Sequence, residues 1–425
     1  MQRPSPSRRA AFIAAVLSSG APSALAGDAN DAMVGPYGER LRYDEKGLTL
    51  TLPEQEATLR IGGRLQIDAG AVGLSRSGLP EAFPDNVAVR RAWIEPTLTI
   101  GKDWVVAFGY DFNDPVLPVK DAFVAWKGLP DTILTLGNMK VPFSLEWLES
   151  SNDIPFAERS LANALVPGRR FGVAAGHHGD AWTAVAGVFG NAASNGVTGD
   201  GVAVAGRITY APILRERETL HIGLAGIYRN RTRTSDDFSL STQAEAFLFG
   251  RPFVDTDTIS EVASVSRVGT EVAYRNGPLL VQAEYIRTDV QRFNGLPPLD
   301  FQGGYVEGSV VLNGRGRDYA LTPQGGTAYA VFKCVEVPER LRVSRGGAGV
   351  FEVSARFSAI DLNDRKLGGG SERDVSVGLS WYPEPNIRLI ANYVHGRVRP
   401  GDEQEDLGSR PFSFDVFVAR AQLYW

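Results

Sequence analysis

From about residue 58 to its end, this chain is a succession of short segments in which apolar and polar side chains alternate. Around 371–382, Val375, Val377, Leu379 and Trp381 share one face, and Asp374, Ser376, Gly378 and Ser380 share the other. Around 350–361, Phe351, Val353, Ala355, Phe357 and Ala359 oppose Glu352, Ser354, Arg356 and Ser358. Around 58–69, Leu59, Ile61, Leu65 and Ile67 oppose Arg60, Gly62, Arg64 and Gln66. The last segment sets Phe417, Ala419, Ala421, Leu423 and Trp425 against Val418, Arg420 and Gln422. A period of two is the signature of a strand with unlike faces. About ten residues is also the length a tilted strand needs to cross a bilayer.

The pattern predicts about 16 strands, near 58–74, 86–100, 103–113, 119–126, 132–140, 170–178, 181–190, 202–211, 219–229, 267–276, 278–290, 303–313, 348–361, 371–382, 386–399 and 411–425. A soluble sandwich or propeller also alternates, but it does not need so many strands of membrane-spanning length. The expected fold is therefore all-β, a transmembrane antiparallel β-barrel. An even number of strands closes such a barrel and leaves no unpaired edge in hydrocarbon.

Connection lengths give the orientation. If the first strand runs outward, the outer connections are 75–85, 114–118, 141–169, 191–201, 230–266, 291–302, 362–370 and 400–410. Inner turns such as Gly101-Lys102 and Pro383-Glu384-Pro385 are short, which is the usual asymmetry. One inner connection, 314–347, is far too long. It could hold an extra hairpin, with 327–333 and 340–345 as its arms, making 18 strands if it joined the wall. The third outer connection, 141–169, carries Phe143, Leu145, Trp147, Leu148, Ile154 and Phe156. Those side chains need apolar packing, so this loop is expected to fold inward and narrow the lumen. The alternative is a flap over the outer mouth.

The N-terminus reads as an export signal over residues 1–26. Arg3, Arg8 and Arg9 precede the apolar stretch Ala10–Leu17, and Ala24-Leu25-Ala26 is a small-x-small cleavage site. Residues 27–57 would be an N-terminal periplasmic segment and 58–425 the barrel, placed in the bacterial outer membrane among its lipids. No apolar run reaches the roughly 18–20 residues of a spanning helix. The single Cys334 excludes an internal disulfide framework. The formal charge of −5 becomes −8 without the three N-terminal arginines, which argues against nucleic acid as a partner.

Several blocks carry a family resemblance. Gly137-Asn138-Met139-Lys140-Val141-Pro142-Phe143-Ser144-Leu145-Glu146, Glu158-Arg159-Ser160-Leu161 and Pro167-Gly168-Arg169-Arg170-Phe171-Gly172 follow one another in order. Arg90-Arg91-Ala92 precedes them. Gly378-Leu379-Ser380-Trp381-Tyr382-Pro383-Glu384-Pro385-Asn386 follows, after Gly346-Gly347 and the Glu352, Arg356, Asp361-Leu362-Asn363 set. In sequence and spacing these resemble the phosphate-selective porin O and P family. Asn138 stands where that family usually has Gln, and Trp425 where it usually ends in Phe. The resemblance implies a 16-stranded homotrimeric porin that passes anions by passive diffusion, with inorganic phosphate or polyphosphate as cargo.

An anion entering a constriction loses hydration, so fixed bases must replace the water while binding weakly enough to release. Alternation places Arg60, Arg64, Arg91, Lys140, Arg207, Arg356, Arg388 and Arg420 on the inner wall. Arg159, Arg169 and Arg170 sit in or beside the inward loop. All but Arg420 are the candidate anion-binding and pore-lining residues, with Lys140 and Arg159 foremost. The same alternation turns Asp68, Asp111, Asp121, Glu271, Glu284, Glu307, Glu352 and Asp374 inward. Eight wall bases against eight wall acids predict no anion preference by number; selectivity would need the two signs to be segregated.

Enzymatic readings find little support. The four histidines, His177, His178, His221 and His395, show no H-x-x-x-H spacing, and there is no G-x-S-x-G. No catalytic residue, metal or cofactor is expected. Two other functions compete with the anion channel. One is a pore for a different small solute. The other is an adhesin or receptor barrel that binds through 230–266, where Arg229, Arg231 and Arg233 precede Asp236-Asp237.

Overall fold

Sixteen antiparallel strands close on themselves in the computed structural model. It describes residues 33–425 apart from 36–37, 45–46, 76–85, 194–200, 232–237, 243, 248–251, 324, 365–366, 403–406 and 409. The proposed signal segment 1–26 lies outside the described residues. The wall strands are β1 (Ala57–Leu74), β2 (Asn86–Ile100), β3 (Trp104–Asp111), β4 (Val119–Leu129), β5 (Thr132–Lys140), β6 (Arg169–His178), β7 (Trp182–Phe189) and β8 (Val202–Leu214). They continue with β9 (Glu218–Asn230), β10 (Val262–Asn276), β11 (Leu279–Arg292), β12 (Leu299–Val311), β13 (Val350–Asp364), β14 (Leu367–Glu384), β15 (Ile387–Arg399) and β16 (Phe412–Tyr424).

Each strand pairs with the next, and β16 returns to β1 from Phe414↔Leu74 to Tyr424↔Arg64. The outward positions are apolar and exposed, as at Val375, Val377 and Leu379. The terminal Trp425 extends the seam by exchanging backbone hydrogen bonds with Gly63, 3.0 Å each way. Its ring lies where a Cβ on Gly63 would stand, at 2.5 Å, so the Gly62-Gly63 pair makes room for the chain end. Below this seam, Gly47–Leu52 pairs with the first residues of β1 and with Arg40–Asp44, prolonging the sheet at the inner rim.

The interior is not empty. The loop between β5 and β6 folds into the lumen, as its apolar content predicts. Phe143, Leu145, Leu148, Ile154 and Phe156 are buried, each burial contributing about 1.5–3 kcal/mol. Gly269 on β10 admits the Phe143 ring, which would lie 3.1 Å from an added Cβ.

Two further segments also turn inward. The inner connection 312–349 does hold a hairpin, but it does not join the wall. Its arms are Arg317–Ala320 and Val331–Val335, a separate two-stranded sheet, while 339–345 forms two short 3-10 turns. The arms pack on the inner surface instead. The Arg317 guanidinium is buried against Glu352 at 2.8 and 2.7 Å. The wall therefore has 16 strands, not 18. The outer connection after β9 also enters. Glu245 reaches Arg356, Ser358 and Ser376, and Phe253 packs on Phe412 and Phe414.

Candidate functional site

Three strands anchor the inward loop through side chains expected to line the pore. Glu284 on β11 accepts from the Leu145 and Glu146 backbone N–H groups at 3.0 and 2.7 Å. It thereby caps the one-turn helix Leu145–Leu148 at the end where free donors collect. Arg388 on β15 donates to the carbonyls of Ile154 and Pro155 at 2.7 and 2.6 Å. Arg356 on β13 is enclosed by Glu245, Glu146 and Glu307 at 2.6, 3.3 and 3.4 Å.

The Lys140 ammonium and the Arg159 guanidinium hold the other end of the same turn. Lys140 donates to the carbonyls of Trp147, Leu148 and Glu149 at 2.6, 3.1 and 2.9 Å. Arg159 donates to those of Glu146 and Glu149 at 2.9 and 2.8 Å. Cations suit the carbonyl end of a helical turn for the same reason that anions suit its start.

Seated this way, the loop divides the lumen. On its β1–β6 side lies a cavity of about 1030 Å³ that runs from Asp114 in an outer connection to Pro385 in an inner turn. Eleven bases and seven acids line it. Among the bases are Arg60, Arg64, Arg91, Lys140, Arg159 and Arg169 from the sequence set. Its lining sets cations against two indole rings, Trp93 and Trp147. The Trp93 ring lies 4.3 Å from the Arg64 guanidinium and 5.7 Å from that of Arg169. The Trp147 ring is 5.7 Å from Arg169 and 5.1 Å from Arg159. Indole faces of this kind steady cations without neutralising them.

On the opposite side, carboxylates are buried away from the cavity. Glu146, Glu149, Glu245, Glu284 and Glu307 gather around Arg356 and Tyr305. Burial and the Glu307 carboxylate push the Glu149 carboxyl well above its ordinary value. Burial likewise pushes Asp153, one of the seven cavity acids, upward. Glu158 behaves in the opposite way. Burial raises it, but Arg90, Arg91 and Arg420 outweigh burial and hold it well below the usual carboxylate range. The signs that balanced in number along the wall are thus unevenly placed: four of the eight wall bases line the cavity, but only two of the eight wall acids, Asp111 and Asp121, do.

The Glu149 shift has a testable sign. A carboxyl raised in the folded state stabilises it below the unfolded pKa and loses that contribution as pH rises through the folded value. Thermal unfolding in detergent should therefore come at a higher temperature near about pH 5 than near about pH 8, with Glu149 contributing part of the difference. Glu149→Gln, neutral at both, should narrow the gap. An unchanged gap would remove Glu149 from the account.

Four members of the sequence set do not line the cavity. Arg207 is buried against Glu271 at 2.6 Å and donates to the Tyr329 carbonyl at 2.7 Å, tying the inner hairpin to the wall. Arg356 and Arg388 are the loop anchors described above. Arg170 donates to the Pro167 carbonyl at 3.3 Å, beside the cavity and not in it. Inward segments occupy the lumen beside Arg207, Arg356 and Arg388, so these bases meet protein instead of water.

Several lining residues escaped the alternation. Arg90 and Arg91 are consecutive, yet both face inward, because β2 shifts register between Gln66↔Arg91 and Ile67↔Val89 and leaves Arg90 as the extra residue. Such a bulge turns two neighbours to one side. Its trace is in the sequence, where the outward apolar positions change phase from Val87 and Val89 to Ala92 and Ile94. Lys120, Trp93 and Trp147 were also missed, as were Arg315 and Lys333, which the inner hairpin segment brings to the cavity. The side chains of Arg60, Arg315 and Lys333 make no hydrogen bond or ion pair among the described residues.

Comparison with known proteins places this architecture. A family model described as phosphate-selective porin O and P matches residues 59–425. The chain belongs to that family. Porin O of Pseudomonas aeruginosa is 24% identical over 390 residues, covering 83% of this chain and 86% of its own. A protein of Caulobacter vibrioides is 26% identical over 360 residues, covering 80% of this chain and 68% of its own. Among solved structures, OmpT, an outer membrane protein of Vibrio cholerae, aligns with a TM-score of 0.52 at 11% identity, over 87% of this chain and 98% of that one. An anion-selective porin from Comamonas acidovorans aligns with a TM-score of 0.50 at 11% identity, over 87% of this chain and all of that one. This porin is thus an outer-membrane β-barrel, and the cavity beside its inward loop is the candidate passage for solutes.

Proposed function

We propose that the porin passes small anions by diffusion along the base-lined side of its lumen, with inorganic phosphate or polyphosphate as the favoured cargo. The observation that carries this reading is the separation of charge. Eleven bases, most of them from β1–β6 and the inward loop, face the cavity against seven acids, while Glu146, Glu149, Glu245, Glu284 and Glu307 are buried behind the loop. A fixed positive field in a narrow passage draws anions and repels cations. Most of these bases are already engaged, as Arg64 is with Glu95 at 2.7 Å and Arg169 with Asp121 at 3.0 Å. Such partial engagement suits a passage in which no single site holds the ion too firmly. A binding site on 230–266 fits less well, since Glu245 and Phe253 face inward; Arg233 and Asp236-Asp237 lie outside the described residues. The proposal contains no catalytic step.

We also propose a homotrimer, which the family resemblance supports and the wall suits. β3 to β7 hold only 8–11 residues, whereas the other strands hold 13–18. The low arc sits at or below the length a bilayer requires, and neighbouring copies would cover it.

The test is electrical. In planar bilayers under a chloride gradient, the purified porin should give stepwise conductance with a reversal potential set by the anion, and added phosphate should reduce the chloride current. A cation-set reversal potential would overturn the anion reading. Anion selectivity without any phosphate effect would leave a plain anion pore and remove the cargo assignment.

A further inference from the structure

The outer surface of the barrel carries an arrangement that transport does not explain. On β14 and β15, Arg373 and Arg397 are direct cross-strand partners. Both are exposed and share the outward face with Val375, Val377 and Tyr393. Directly opposed side chains in a sheet have Cβ atoms about 4.5–5.5 Å apart, and like charges there are destabilising. Arg399, opposite Ser371, adds a third base two residues farther out along β15. None of the three has an ion pair or hydrogen bond among the described residues. Among the described residues, Asp415 and Asp361 on the neighbouring strands are engaged elsewhere. Asp415 accepts from Tyr393 at 2.5 Å and lies 2.8 Å from the His395 ring. Asp361 accepts from the Asn363 backbone and side chain.

The same wall shows how the chain treats such a pair when it balances it internally. Asp289 and Asp300 are also direct outward partners. There Arg287 bridges the two, at 3.5 and 2.5 Å. No described residue bridges Arg373 and Arg397, and an ion that does so has to be an anion.

Position narrows the choice of anion. Trp381, at the inner end of β14, precedes the outward apolar row Leu379, Val377 and Val375, and Arg373 follows it. Eight residues along a tilted strand rise about 20 Å, close to the height of the apolar band of a membrane barrel. The arginines therefore stand just above the hydrocarbon on the outer side, at headgroup level.

We propose that Arg373 and Arg397, with Arg399 above them, clamp a phosphate of an outer-leaflet glycolipid against the outside of the barrel. The guanidinium fork matches phosphate oxygens in pairs. The acyl chains of the same lipid would lie over Val375, Val377 and Phe417.

The test is lipid retention by the purified full-length protein, read by native mass spectrometry with bisphosphorylated lipid A and its dephosphorylated form as probes. The phosphorylated form should be retained preferentially, by about fivefold for each contributing arginine. The double variant Arg373→Gln with Arg397→Gln should lose that preference, Arg373→Lys with Arg397→Lys should keep part of it, and Arg287→Gln should keep all of it. Heat-modifiable mobility on gels reports that each variant is folded. Equal retention by the double glutamine variant would overturn the proposal. So would displacement of the lipid by millimolar inorganic phosphate, which would make the row a free-anion site. A change of oligomeric state with lipid retention intact would make it a contact between copies, and would also overturn it.

Discussion

Arg356→Ala is expected to open the barrel. The guanidinium donates to Glu245 at 2.6 Å, to Glu146 at 3.3 Å, to Glu307 at 3.4 Å and to the Glu158 carbonyl at 3.1 Å. It also lies 4.3 Å from the Phe156 ring. One residue of the wall thus joins both outer segments that enter the lumen. Removing one partner of a buried ionic group costs about 3–5 kcal/mol, because the remaining charges stay buried without compensation. Here three carboxylates would face one another. The least expensive relief is for 141–169 and the Glu245 segment to leave the lumen, since the wall is held by its own hydrogen bonds. Single-channel conductance should rise, noise should increase and anion preference should fall, while the heat-modifiable gel shift of a folded barrel persists. Arg356→Lys should fall between the two, because a point charge cannot reach three carboxylates as a fork does. Wild-type conductance in the alanine variant would show that the loops are held by something other than this cluster.

The second large effect is expected from Lys140→Glu. From the sequence, Lys140 is a pore base whose reversal would act through its field. In the structure its ammonium also closes the carbonyl end of Leu145–Leu148. A carboxylate there would meet carbonyl oxygens and lose every hydrogen bond that the ammonium makes. Two consequences separate by salt. The field of the reversed charge should lower the anion-to-cation permeability ratio on the order of tenfold at low salt and less at high salt, where the Debye length shrinks to about 3 Å. Displacement of the turn should persist at any salt, as altered conductance and faster proteolysis of 141–169. Lys140→Met isolates the structural part, because it removes the bonds without adding the opposite charge. If all effects of Lys140→Glu vanish at high salt, the turn does not depend on Lys140.

Much of the wall was legible because lipid outside and water or polar protein inside impose a period of two on each strand. The reading of 86–100 and 132–140 coincides with β2 and β5. It shortens β10, β12 and β14 at their outer ends, where Ser264, Asp300 and Gly368 belong to segments that rise beyond the lipid and no longer need an apolar face. The inward loop was legible for a related reason, since Phe143, Leu145 and Phe156 had to be buried somewhere. The hairpin at 317–335 was visible only as a connection of the wrong length.

The lining was less legible. Alternation tells which residues face inward; it cannot tell what they will meet there. Arg207, Arg356 and Arg388 share their pattern with Arg60 and Arg64, yet the first three hold inserted segments and the other two border the cavity.

The sequence alone therefore determined the barrel, its sixteen wall segments and most of the side chains that point to its interior, because those follow from hydrophobicity repeated along one strand at a time. Only the tertiary structure decided where positive and negative charges collect. That depends on which side of the lumen the three inward segments occupy, and those contacts join residues as distant as Glu146 and Arg356.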